Sequence, residues 1–147
     1  MEATGTTVDP LAMPKGLSQQ EQQWWSATVA RIEREKAEAI SLSRDALMHQ
    51  FLADRARKDY GELLAEYRAR WEDRLPQWAV GIRFRDLSVA KECISDDGWY
   101  SRQATECAAV AGLHYQEVVR LMNVLRDFMR TRTAGLLAAV PGQREPS

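Results

Sequence analysis

Residues 18–75, SQQEQQWWSATVARIEREKAEAISLSRDALMHQFLADRARKDYGELLAEYRARWEDRL, contain no proline and a single glycine, Gly61. Proline removes a backbone donor and clashes with the preceding turn, so its absence leaves a helix free to propagate. Apolar residues recur at helical spacing: Trp25, Val29, Ile32, then Ile40, Leu47, Phe51, then Leu64, Tyr67, Trp71 and Leu75. That pattern predicts helix throughout. Ser18-Gln19-Gln20-Glu21 matches a capping box, in which the serine oxygen accepts one free amide and the glutamate returns to another, so the helix is expected to begin there. A single rod of this length would approach ~90 Å, and a bent helix or helical hairpin is therefore expected. Two break points offer themselves, Ser41-Leu42-Ser43 and Asp59-Tyr60-Gly61-Glu62. The second is preferred because it joins another capping pattern to the only glycine. Oppositely charged residues four apart, such as Arg34 with Glu38, Asp54 with Lys58 and Glu66 with Arg70, suit a solvated helix face.

Outward from this region the pattern weakens. Residues 1–17 hold Gly5, Pro10, Pro14 and Gly16 among small polar residues and read as a flexible lead-in. Residues 76–100 read as a linker with a short helix. Pro76 ends the long helical region, and Val80-Gly81-Ile82-Arg83-Phe84-Arg85 alternates apolar with basic residues, as a short extended segment would. In such a segment Arg83 and Arg85 share one face, a conceivable phosphate clamp. Asp86 is placed to cap a short helix through Ile94, and Ser95-Asp96-Asp97-Gly98 has the composition of a turn. Residues 101–139 return to helix with an interruption expected at Gly112, and residues 140–147 read as a frayed tail. No internal repeat stands out. The fold class expected is all-α: a long N-terminal helical region and a C-terminal bundle of short helices.

Composition bounds the function. The chain has 147 residues, 45% hydrophobic and 28% charged, which suits a globular domain with a real core. With 20 Lys+Arg against 21 Asp+Glu, its net charge of −1 supplies no overall positive field, so any contact with nucleic acid must be local. Cys93 and Cys107 sit in apolar helical patterns and are expected to be structural thiols. No apolar run approaches the ~20 residues a membrane span requires, and the first residues lack a signal-peptide core, so a cytoplasmic protein without membrane contact is expected. His49 and His114 have no second ligand at metal spacing, and no Cys-x-x-Cys, phosphate-binding loop or dinucleotide-binding glycine pattern occurs. Hence no catalytic residue, metal or cofactor is expected, and Asp96-Asp97 reads as turn chemistry.

One segment points further. Ala104-Thr105-Glu106-Cys107-Ala108-Ala109-Val110-Ala111-Gly112-Leu113-His114-Tyr115-Gln116-Glu117-Val118-Val119-Arg120-Leu121 resembles the helix-turn-helix signature of DNA-binding proteins. That motif needs a small residue where two helices touch, a glycine that reverses the chain, and apolar residues that lock both helices to a third. Ala108, Gly112 and the set Cys107, Ala111, Leu113, Val118, Leu121 match these demands. The resemblance implies a supporting helix from Ser101 to Ala111 and a recognition helix from Tyr115 to about Arg130. His114, Tyr115, Gln116 and Arg120 would face the major groove, and Arg102 would approach backbone phosphate. A plain helical corner in a bundle would satisfy the same packing.

Three functions are open at this level. The first is a non-enzymatic helix-turn-helix DNA-binding regulator that homodimerises through its N-terminal helices. The alternative is a helical structural subunit of a larger nucleoprotein assembly, similar in size and helix content to CRISPR effector small subunits or some phage assembly proteins. There Arg83, Arg85 and the arginine stripe of Arg120, Arg126, Arg130 and Arg132 would touch a nucleic acid backbone without reading sequence. The third is a protein-only adaptor, expected if the arginines pair internally with Glu92, Glu106, Glu117 or Asp127. Successive helical residues are rotated by ~100°, so Trp24 and Trp25 cannot both face one stripe, and one of them should reach a second partner.

Overall fold

The computed structural model describes residues Asp9 to Ala139, with side chains through Gly135. The tail expected at 140–147 and the first eight residues of the lead-in lie outside the described residues. Three helices account for nearly all of the rest: α1 (Gln19–Trp71), α2 (Gln77–Arg85) and α3 (Ser88–Ala139). No strand occurs among the described residues, and the all-α class stands. The chain divides into two compact units: one joins the residues up to Ala39 to those from Leu113 onward, and the other is Ile40–Gly112.

In the first unit the start of α1 is as the sequence predicts. The Ser18 amide donates to a Glu21 carboxylate oxygen at 2.9 Å, and the Glu21 amide donates to Ser18 Oγ at 3.1 Å. This hydrogen bonding, chiefly the backbone bond from Ser18, holds the Glu21 carboxyl below its ordinary range. Gly16 turns the chain at φ 80°, and the Arg132 guanidinium donates to the Lys15 and Gly16 carbonyls at 3.1 and 2.9 Å. The Trp25 indole N–H donates to the Leu11 carbonyl at 3.1 Å, so the segment before α1 is packed onto the unit rather than loose. The core joins Leu17, Trp25 and Ile32 to Val118, Leu121 and Leu125 of α3, which runs antiparallel to α1 here.

In the second unit the buried residues are mostly small: Ala53 and Ala56 of α1, Ala90, Ala104 and Ala111 of α3, and Val80 and Phe84 of α2. The Phe84 ring lies 5.1 Å from that of Tyr60 and 5.6 Å from that of Tyr67, so α2 is anchored by an aromatic cluster. This corrects the extended reading of Val80 to Arg85. A lone extended segment would leave its backbone groups without partners, whereas a helix pairs them internally and puts Val80 and Phe84, four apart, on one inward face. Pro76 sits at the N-cap of α2, where its missing amide hydrogen costs nothing.

The larger correction concerns continuity. α1 runs through both expected break points, and α3 runs through the turn expected at 95–98 and through the corner expected at Gly112. Glycine in a helix interior costs about 1 kcal/mol, and burial on the opposite face outweighs it. That burial follows a seven-residue interval. In α3 it passes through Ala90, Asp97, Ala104, Ala111, Val118, Leu125 and Arg132, and in α1 through Trp25, Ile32, Ala39, Ala46, Ala53, Tyr60 and Tyr67, each of them buried or half-buried. Such spacing keeps one seam of a helix against a neighbour, as in coiled coils. Ile40, Leu47 and Phe51 lie off the seam and are 42%, 72% and 60% exposed, so they are not the core residues the apolar pattern suggested.

Candidate functional site

The residues singled out as a reading head do not form one. Without a corner at Gly112 there is no separate recognition helix, and each residue takes its place on α3 by helical phase alone. His114 is half-buried and its Nδ1 pairs with the Glu35 carboxylate of α1. Glu117 receives both Arg31 of α1 and Arg120 of α3; Arg120 holds it bidentately at 2.6 and 2.9 Å. These arginines, Arg120 foremost, hold the Glu117 carboxyl below its usual range, and Glu117 in turn raises the Arg120 guanidinium. Arg126 donates to the Asn123 amide oxygen at 2.7 Å. Tyr115, Gln116 and Arg130 are exposed. Of the arginines expected to meet phosphate, Arg120 is engaged by Glu117, while Arg83, Arg85, Arg102, Arg126 and Arg130 form no ion pair among the described residues.

The tryptophan pair in the same unit differs in burial, yet both rings lie near that of Phe128, at 5.0 Å for Trp24 and 6.1 Å for Trp25. Trp25 is buried, while Trp24 is 37% exposed. Beside them a shallow groove of about 480 Å³ opens between Leu11, Trp25, Val119, Met122, Arg126 and Met129.

In the second unit Arg83 and Arg85 point to different sides of α2, since two helical positions rotate by ~200°, and the shared-face clamp is not built. Arg85 lines a pocket of about 310 Å³ with Tyr60, Cys93 and Ile94, next to an occupied ion pair in which Arg57 donates to Asp97 at 2.9 Å. Asp97 raises the Arg57 guanidinium, and Ser101 accepts a further bond from Arg57 at 3.2 Å. Asp96 and Asp97, expected in a turn, are instead helical. Burial pushes the Cys93 thiol up, with the carboxylates of Asp59, Asp96 and Glu92 adding to it, so it stays protonated at neutral pH and is a poor nucleophile. Arg102 is exposed, and neither it nor Arg83 forms an ion pair among the described residues. Cys93 and Cys107 are both free and half-buried.

The feature that sequence reasoning missed is apolar and exposed. On α1 of this unit Ile40, Leu47, Met48 and Phe51 reach solvent at 42%, 72%, 58% and 60%, and on α2 Trp78 and Ile82, four apart, are 74% and 57% exposed. Large side chains so displayed cost free energy unless something covers them. The sequence held a signal for this: the seven-residue spacing from Trp25 through Ile32 to Ala39 leaves Ile40 and Leu47 one position beyond the seam. Half-buried His49 stacks at 26° on Tyr100, with its Nδ1 buried and without a hydrogen-bond partner among the described residues.

Among the described residues no group of three or more His, Cys, Asp or Glu side chains is placed to hold a metal ion, and no helix is long and apolar enough to cross a membrane. No protein-family model matches the chain, and comparisons with curated proteins and with solved structures give no match either.

Proposed function

We propose that this chain is a helical adaptor that acts by binding protein through exposed helix faces rather than by catalysis or by reading DNA. The exposed apolar stripe of Ile40, Leu47 and Phe51 carries this reading. Apolar side chains rimmed by charge mark protein interfaces, whereas a nucleic acid surface displays clustered unpaired cations. Here Arg31, Arg57 and Arg120 are engaged by Glu117 and Asp97, and the net charge is −1.

Exposed Arg83 and Arg102 favour a second reading, a structural subunit of a nucleoprotein assembly that touches phosphate without sequence preference. Binding of the full chain to labelled duplex DNA and to single-stranded DNA and RNA, at two salt concentrations, separates the two. The adaptor reading expects no binding to any of them. Salt-sensitive binding that weakens on replacing Arg83 and Arg102 by alanine would overturn it in favour of the second.

A further inference from the structure

Resting on the adaptor reading, we propose that the partner of the α1 stripe is a second copy of the same chain, docked antiparallel across a two-fold axis. The residues Ile40, Arg44, Leu47, Phe51, Asp54 and Lys58 follow one another at intervals of four and three, so they share one face of α1. All six are exposed, and all belong to the second unit. Their order is self-complementary when the helix is laid against its own reverse. Leu47 then meets Phe51 of the second copy, Arg44 meets Asp54, and Ile40 meets Lys58. Two-fold symmetry makes each of these contacts twice. The centre is four large apolar side chains, with one Arg44–Asp54 pair on either side. At each end the aliphatic stem of Lys58 covers Ile40 while its ammonium group stays in water.

Alternative alignments fail on charge. A parallel, in-register pair would set Arg44 against Arg44 and Lys58 against Lys58. An antiparallel pair shifted to set Leu47 against Leu47 would put Ile40 opposite the Asp54 carboxylate. Arg44 is free to serve, for it forms no ion pair among the described residues. Asp54 now accepts from the Gln50 amide at 2.9 Å and lies 3.3 Å from Arg57, both of them exposed contacts that leave room for another donor. The contact runs over about 27 Å of helix and is one helix wide. That is smaller than a standard interface, so the dimer forms reversibly and with concentration.

The test is sedimentation equilibrium of the full chain from low to high micromolar concentration. The wild type should pass from monomer to dimer, and Leu47→Glu with Phe51→Glu should remain monomeric with unchanged helix content, since both side chains are already solvated. Arg44→Asp and Asp54→Arg should each weaken association roughly tenfold, and the two reversals combined should restore it, because each new charge meets the other across the axis. A wild type that stays monomeric throughout, a dimer that survives the two glutamates, or single reversals that the double variant fails to rescue would overturn the proposal. None of these outcomes depends on nucleic acid binding, so failure of the dimer and failure of the adaptor reading are separately visible.

Discussion

Gly98 and Gly112 decide whether α3 is one helix or several, and replacing both with alanine measures it. Each lies inside α3 with no positive φ, and a Cβ built on either meets no atom within 4 Å. Alanine there keeps the helical backbone, adds no clash and removes the conformational freedom glycine brings to the unfolded chain, a gain of about 0.5–1 kcal/mol at each site. The sites are about 21 Å apart along the helix, so their effects add to about 1–2 kcal/mol. With a urea slope of about 2 kcal/mol/M, the unfolding midpoint of the double variant should rise by about 0.5–1 M, read by circular dichroism at unchanged slope. Had Gly112 reversed the chain between two helices in a left-handed conformation, alanine would instead cost about 1–2 kcal/mol and the midpoint would fall. Gly16 supplies the contrast: at φ 80°, with a built Cβ 2.9 Å from an Arg132 guanidinium nitrogen, its replacement by alanine should destabilise. A lowered midpoint for Gly112→Ala or Gly98→Ala would refute the continuous helix.

Two further outcomes test the seam and its electrostatics. Ile32 is fully buried and Ile40 is 42% exposed, so Ile32→Ala should cost about 3 kcal/mol and Ile40→Ala less than half as much in urea unfolding at low protein concentration; equal losses would deny the seven-residue seam. The Glu117 carboxyl is held below its ordinary value when folded, so its contribution is present above the usual carboxylate range and lost as pH falls through the depressed value. Thermal midpoints of wild type and Glu117→Gln should therefore differ at neutral pH and converge as the pH falls through the depressed value, and a difference independent of pH would show that the Arg31–Glu117–Arg120 cluster acts through packing instead.

Much of this architecture was legible in the residues. Helical spacing without proline and the capping box at Ser18 are local, and local hydrogen bonding or sterics produced them as read, whereas α1 ends at Trp71, ahead of Pro76, which stands at the N-cap of α2. The unequal burial of Trp24 and Trp25 also followed from rotation about one helix, though both lie near Phe128. The breaks expected at Gly61, Gly98 and Gly112 did not occur, because glycine only permits a turn. Whether the chain takes it depends on what the flanking faces bury, and that is a property of the opposing helix.

The same dependence misplaced the core and the site. Ile40, Leu47 and Phe51 look like core because they are large and apolar, while Ala39, Ala53, Ala56, Ala104 and Ala111 look neutral; yet where two helices come close only small side chains fit between them. The motif read at Ala104 to Leu121 has the small residues and the glycine of a helix-turn-helix, but Arg120, expected to face the major groove, found Glu117 three residues back, and His114, expected beside it, found Glu35 on another helix. Sequence by itself determined that the chain is helical and where its first helix starts, since those depend on neighbours within one turn. Tertiary structure decided which face is inside and which charges remain free, since burial and ion pairing depend on residues brought together from opposite ends of the chain.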